Sequence, residues 1–168
     1  LGYSLSKWVI KIKDIKKINN CNSIIDFGCG KGFLYKNKFQ IEGVEYKNLS
    51  EFWQIRNIHL YDPGVEEYSI YPNKRYDGVI CTDVMEHIHQ DECDKVLKEI
   101  FDYADHSVFF TISCNPAKKY FADGTNYHVN CKPEEWWFAT IKRLKPAHLY
   151  VWLYFPSFNG VIKFDPNR

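Results

Sequence analysis

The chain has 168 residues, enough for one folded domain with a substantial core, and its 45% hydrophobic and 26% charged residues exclude an intrinsically disordered protein. No apolar stretch approaches the roughly 18 residues that a membrane span requires. The net charge of +1 neither indicates nor excludes nucleic acid as a partner, because a local basic patch does not show in the sum. The six cysteines include no CxxC pair, and we expect a cytoplasmic protein with no membrane segment.

Helices and strands alternate along the predicted chain. Residues 1–20 are predicted to hold an N-terminal helix, because apolar side chains recur there at helical spacing. Further helical segments are predicted at residues 33–38, 49–53, 84–87 and 91–104, and from Pro133 onward. The predicted strands cover residues 23–27, 41–46, 57–61, 76–82, 107–113, 149–155 and 160–164.

This order of elements predicts a doubly wound α/β fold, with a mainly parallel seven-stranded sheet covered by helices on both faces. The short connection between the last two strands allows only antiparallel pairing, so we expect an antiparallel C-terminal strand at one edge. No repeat or linker divides the chain, which predicts a single domain over residues 1–168. The irregular residues 114–132 are interpreted as a loop on the substrate side.

A glycine-rich turn connects the first predicted strand to the following helix, in the run Asp26-Phe27-Gly28-Cys29-Gly30-Lys31-Gly32. Glycines let a backbone approach a ligand closely, and the N–H groups of a helix N-terminus can hold a carboxylate. Asp26 could accept hydrogen bonds from an ammonium group, and Glu45, at the end of the second strand, could bind both hydroxyls of a ribose. The GxGxG spacing differs from the GxGxxG of dinucleotide sites, so the predicted ligand is an amino acid joined to a nucleoside.

Three motifs resemble those of the class I S-adenosylmethionine (SAM)-dependent methyltransferases: residues 24–32 their first motif, residues 43–45 their second, and residues 76–88 their fourth-strand motif. The resemblance covers nearly the whole chain, from about residue 23 to residue 164. It implies a methyltransferase that uses SAM as its cofactor. By this resemblance, Glu45 would contact the ribose of the cofactor, and Asp62 would lie near its adenine. The methionine side would be contacted by Asp26, Gly28, Gly30, Thr82 and Asp83. Cys29 and Gly32 are further cofactor-binding candidates in the same turn.

Asp83, Glu86 and His87 have i, i+3, i+4 spacing, which would place them on one face of a helix beside the methyl donor. His128 lies in the loop that leaves the same carboxyl edge of the sheet. Two carboxylates and two imidazoles can form a mixed site for a divalent metal such as Mn, Fe, Zn or Mg. The set is similar to the metal site of small-RNA 3′-terminal 2′-O-methyltransferases, with Asp83 where those enzymes have Glu. That resemblance implies a metal that acidifies a substrate hydroxyl.

Without a metal, Glu86, His87 and His128 are the candidate catalytic residues, with either imidazole as a general base or a substrate contact. A purely structural role for both histidines is the remaining interpretation. We therefore predict a SAM-dependent methyltransferase acting on an oxygen or nitrogen acceptor, preferably a small molecule. Two alternatives stay open: a metal-dependent RNA 2′-O-methyltransferase, and a non-catalytic protein that binds SAM or S-adenosylhomocysteine. The expected partners of the methyltransferase are SAM and a methyl acceptor that no motif specifies.

Overall fold

The computed structural model describes residues 5–156 and 160–166. In these residues the strands are β1 Ser23–Phe27, β2 Phe39–Ile41, β3 Val44–Tyr46, β4 Asn57–Tyr61, β5 Tyr76–Thr82, β6 Ala104–Thr111, β7 Tyr150–Tyr154 and β8 Val161–Phe164. The α-helices are α1 Val9–Ile18, α2 Phe33–Lys36, α3 Leu49–Trp53, α4 Gln90–Asp102 and α5 Glu134–Leu144.

Six of the strands form the central sheet, in the order β4-β1-β5-β6-β7-β8. The first five run parallel to their neighbours, and β8 pairs antiparallel with β7 at the edge. The mainly parallel sheet with an antiparallel C-terminal strand is confirmed. The predicted number of seven strands is wrong, since the sheet built by the described residues has six.

The missing strand is the one predicted over residues 41–46. That segment belongs to a separate two-stranded hairpin, in which β2 pairs only with β3. Its turn residues Glu42 and Gly43 have φ angles of 51° and 81°, the pair of positive values that a two-residue type I′ turn requires. Because the chain reverses there, β4 lies directly beside β1 in the main sheet.

Helices cover both faces of the sheet, as the doubly wound prediction requires. On one face, α1 and α3 bury Ile12, Ile15 and Trp53, and the Trp53 Nε1–H donates to the Val9 carbonyl oxygen at 2.8 Å. On the other face, α4 and α5 bury a second cluster that includes Leu97, Phe101, Trp137 and Ile141. Close packing of these two cores holds the carboxyl ends of β1, β5 and β6 in a fixed arrangement.

Three predicted helical segments are shorter than expected. The N-terminal segment is a 3-10 turn at Leu5–Lys7 followed by α1, and residues 1–4 lie outside the described part. Only four residues form α2 after the glycine turn. Residues Met85–His87 form a 3-10 turn, and α4 begins at Gln90. Among the described residues, no helix combines the length and apolar character needed to cross a membrane.

The loop of residues 114–132 is more ordered than its sequence predicts. Tyr120 and Asn126 form an isolated antiparallel bridge, and the Phe121 N–H donates to the Thr125 carbonyl oxygen at 2.8 Å. Gly124 closes the turn between them with a φ of 86°. The loop therefore projects as a tight hairpin from the carboxyl edge of the sheet.

Candidate active site

A cavity of about 470 Å³ opens at the carboxyl edge of β1 and β5. Its walls come from the glycine turn, the turn after β5, the 114–132 loop and the N-terminal 3-10 turn. Ten of the residues selected from sequence line it together: Asp26, Gly28, Cys29, Gly30, Gly32, Thr82, Asp83, Glu86, His87 and His128. Two others, Glu45 and Asp62, are not among the lining residues.

Two glycines of the turn differ in their surroundings: Gly28 is closely packed, and Gly30 borders open space. Gly28 has a φ of 83°, and a Cβ built there would overlap the Val84 side chain. Gly30 has a φ of 57°, but a Cβ there would meet no atom within 4 Å, because it would project into open space. The helix α2 has only four residues, so its dipole is small. The predicted binding of a carboxylate at its N-terminus therefore gains little from the helix dipole.

Asp26 is buried at the end of β1 and faces the cavity. The Tyr35 hydroxyl donates to its Oδ2 at 2.8 Å, and no described residue donates to its Oδ1. Burial raises the pKa of Asp26 from 3.8 to about 7, the Tyr35 hydrogen bond opposes this, and the nearby charge of Asp62 adds to it. The unpartnered oxygen suits a cationic donor. The role of Tyr35 was missed from sequence, because a tyrosine after a glycine turn carries no motif.

Glu45 and Asp62 both lie in other places than the sequence suggested. Glu45 lies on the β2–β3 hairpin, largely exposed, with the Lys38 Nζ 2.9 Å from its Oε1. The predicted place of Glu45 at the end of the second strand of the main sheet is therefore wrong, because among the described strands β3 pairs only with β2. Asp62 follows β4, the strand beside β1, and its Oδ2 accepts the Gly30 N–H at 2.8 Å. Asp62 thus provides the carboxylate at the end of the strand neighbouring β1.

A second group of side chains lies across the cavity from the glycine turn: Glu86, His87 and His128. One potential ligand atom from each lies within 4.8 Å of the others. Glu86 is fully buried, its Oε1 accepts the Ser113 N–H at 3.1 Å, and its Oε2 has no partner among the described residues. Burial raises the pKa of Glu86 to about 8.

Both histidines are oriented by main-chain carbonyls of the 114–132 loop. The Nδ1 of His87 lies 2.8 Å from the Tyr127 carbonyl oxygen, and the Nδ1 of His128 lies 2.6 Å from that of Asn115. Since a carbonyl oxygen only accepts, each Nδ1 carries the hydrogen, and in the neutral form of each ring the lone pair is then on Nε2. This is the usual hydrogen bonding of metal-binding histidines. Two such imidazoles and a carboxylate fit a divalent ion such as Mn, Fe or Zn, and either imidazole could equally accept a proton directly.

Asp83 lines the cavity but does not join this group. It has a φ of 53°, so the segment it begins is not an α-helix, and the predicted one-face arrangement with Glu86 and His87 does not form. Its Oδ1 instead accepts the Thr111 hydroxyl at 2.7 Å, which ties it to β6. Within the described residues, the candidate metal set therefore contains three side chains rather than four.

A protein-family model described as a methyltransferase domain matches residues 3–154. The matched range includes the glycine turn, the turn after β5 and the whole 114–132 loop. Neither the curated proteins nor the solved structures include a significant match to the chain. Membership of an enzyme family leaves the non-catalytic alternative without support. The chain belongs to the methyltransferase-domain family, and it is a class I SAM-dependent methyltransferase.

Proposed function

We propose that this methyltransferase methylates a hydroxyl oxygen of a small acceptor molecule, with the acceptor's proton removed at Glu86, His87 and His128. One observation carries the proposal: Glu86, His87 and His128 line the cavity that Asp26 also lines, and one potential ligand atom from each of the three lies within 4.8 Å of the others. A hydroxyl must lose its proton as it is methylated, whereas a neutral amine is nucleophilic without that help. Three proton-accepting or metal-binding groups at one point therefore favour an oxygen acceptor.

The donor side of the cavity has the properties that SAM needs. SAM supplies a methyl group that is already activated on a sulfonium, so the protein's main task is to align the donor with the acceptor. The unpartnered Oδ1 of Asp26 suits the ammonium group, and the open space at Gly30 allows close approach of the methionine part. Asp62 replaces Glu45 as the candidate for the ribose side, since a carboxylate holding two N–H groups keeps further lone pairs.

The same three residues on the acceptor side, Glu86, His87 and His128, would hold a divalent ion. Such an ion would supply Lewis-acid chemistry, which lowers the pKa of a bound hydroxyl. The residues fit this role because both imidazoles are already held with Nε2 free, and because Glu86 has an oxygen without a partner. The buried carboxylate would be stabilised in its charged form by a cation.

An RNA 2′-hydroxyl is the second candidate acceptor. The 114–132 loop exposes the rings of Tyr120 and Phe121 and the side chains of Lys118 and Lys119. Cations and exposed rings are the groups that contact single-stranded nucleic acid. This acceptor predicts methylation that falls steeply with rising salt concentration.

The proposal is tested by incubating the purified protein with methyl-tritiated SAM and either a small-molecule extract or total RNA, with Mn²⁺ or with EDTA. We expect label in a small-molecule ether, lost with EDTA and in His128→Ala. Label in RNA selects the second candidate. Label in an N-methyl product, or activity indifferent to both EDTA and His128→Ala, contradicts the acceptor chemistry. Calorimetry that detects no binding of SAM or S-adenosylhomocysteine would contradict the donor site.

A further inference from the structure

We infer that Asn126 is a positioning residue of the acceptor side, because its side chain ties together the two loop segments whose carbonyl groups orient His87 and His128. The inference rests on the proposed function only in taking the two imidazoles as the acceptor-side groups. Asn126 itself does not line the cavity.

The Asn126 side chain pairs with both polar main-chain groups of Ala117. Its Oδ1 accepts the Ala117 N–H at 2.8 Å, and its Nδ2 donates to the Ala117 carbonyl oxygen at 2.9 Å. This two-bond contact ties the start of the hairpin to its end, across nine residues. Asn115, whose carbonyl oxygen accepts from His128, lies only two residues before Ala117.

The same Oδ1 also accepts the main-chain N–H of His128 at 2.9 Å. That bond encloses Tyr127 in a tight local turn, which sets the direction of the Tyr127 carbonyl group. The Tyr127 carbonyl oxygen accepts from the Nδ1 of His87. One amide side chain therefore holds the turn that carries the acceptor of His87 and ties down the segment that follows the acceptor of His128.

Two other contacts make the hairpin a support for the turn after β5. The Asn130 N–H donates to the Glu86 carbonyl oxygen at 3.1 Å, and the Tyr127 N–H donates to the Lys119 carbonyl oxygen at 3.1 Å. These bonds hold the loop in place but do not reach the Asn115 carbonyl group, whose oxygen is otherwise contacted by the Ser113 hydroxyl at a longer 3.3 Å. We therefore expect loss of the Asn126 side chain to leave a folded loop with its histidine-orienting carbonyls released.

Asn126→Ala removes all three hydrogen bonds, whereas Asn126→Asp keeps the two that its Oδ1 accepts. Asn48→Ala is the matched control, since Asn48 makes a comparable side-chain bond to the Glu51 N–H at 3.0 Å, far from the histidines. The first readout is the ring tautomer of His87 and His128 from long-range ¹H–¹⁵N correlation spectra, assigned with single His→Gln variants. The second readout is Co²⁺ affinity followed by absorption, and the third is SAM affinity measured by calorimetry.

We expect both histidines of the wild type and of Asn48→Ala to be Nδ1–H tautomers, and those of Asn126→Ala to be tautomer mixtures. Co²⁺ affinity should fall about 10- to 100-fold in Asn126→Ala and less in Asn126→Asp, while SAM affinity stays within about twofold. Unchanged tautomers in Asn126→Ala would overturn the inference. If the wild type binds no Co²⁺, the proposed metal is wrong, but the tautomers still decide the role of Asn126. If Asn126→Ala does not fold, Asn126→Asp decides it: tautomers and Co²⁺ affinity both equal to those of the wild type would overturn the inference.

Discussion

Asp26 and Glu86 are buried carboxylates on one cavity, and each has one oxygen without a hydrogen-bond partner among the described residues. Burial raises the pKa of both groups, to about 7 for Asp26 and about 8 for Glu86. A buried carboxylate without a cation costs folding free energy when it is charged. The two residues therefore mark two positions where a positive group would stabilise the protein, one on the donor side and one on the acceptor side.

Asp26→Asn should weaken SAM binding about 10- to 100-fold, because a hydrogen bond to a charged group contributes roughly 1.5–3 kcal/mol. The ligand-free variant should be more stable than the wild type near pH 8, by about 1–3 kcal/mol, since it buries no charge. Calorimetry and urea unfolding measure the two effects. Asp77→Asn is the control, because Asp77 accepts the Asn22 and Ser23 N–H groups at the opposite sheet edge. It should lose stability and keep SAM affinity.

The stability of the ligand-free protein should depend on pH through Asp26. Its pKa is about 7 in the folded protein and near 3.8 when unfolded, so between these values the folded state binds more protons. The free energy of unfolding contributed by this group therefore falls as pH rises from about 4 to about 7, and SAM affinity rises over the same range. Urea titrations at several pH values should show this decline in the wild type and a smaller one in Asp26→Asn. An equal decline of the unfolding free energy with pH in both proteins would contradict the raised pKa of Asp26.

Gly28→Ala and Gly30→Ala should separate folding from binding. At Gly28 a Cβ meets the Val84 side chain and the φ is positive, so alanine should destabilise the fold by about 3 kcal/mol or more. At Gly30 the Cβ enters open space, and only the positive φ costs energy, about 1 kcal/mol. Thermal unfolding should therefore show a folded Gly30→Ala, while calorimetry shows it to have lost SAM affinity. A Gly30→Ala variant with wild-type affinity would mean that the cofactor does not approach this turn.

Glu45→Gln should leave SAM affinity within about twofold of the wild type, because an exposed ion pair contributes little and Glu45 lies on a hairpin outside the main sheet. Asp62→Asn should weaken SAM binding, since the carboxylate that accepts the Gly30 and Gly64 N–H groups becomes a neutral amide. Calorimetry on the two variants compares them directly. The reverse order of effects would restore the sequence-based assignment of Glu45.

Glu86→Gln should abolish divalent-metal binding while keeping the fold. The amide oxygen can still accept the Ser113 N–H, and the variant has no ionisable group at this position. We expect Co²⁺ affinity to fall about 100-fold or more, with SAM affinity and thermal stability preserved or improved. Cobalt absorption and differential scanning calorimetry test this. An equal loss of SAM affinity would show that Glu86 serves the donor side instead.

Local sequence determined the glycine turn, most of the strands and the helix faces, because each depends on neighbouring residues: positive-φ glycines after an apolar strand, and apolar side chains at regular spacing. It also indicated the family, since the glycine turn and the residues after β5 are each a short continuous run of the chain. Asp26, Thr82, Glu86, His87 and His128 could all be selected in this way, and they line one cavity.

Tertiary structure alone decided the positions that depend on distant contacts. The hairpin at Glu42 and Gly43 removed Glu45 from the sheet and brought Asp62 beside the glycine turn. The hydrogen bond from Tyr35 to Asp26, and the carbonyl groups that orient His87 and His128, join segments whose separation in the chain follows no fixed spacing. Periodicity reports which face a side chain occupies, but a hydrogen bond between two loops depends on where the whole fold brings them. The sequence therefore determined which functional groups the site contains, and the packing of the fold determined their arrangement.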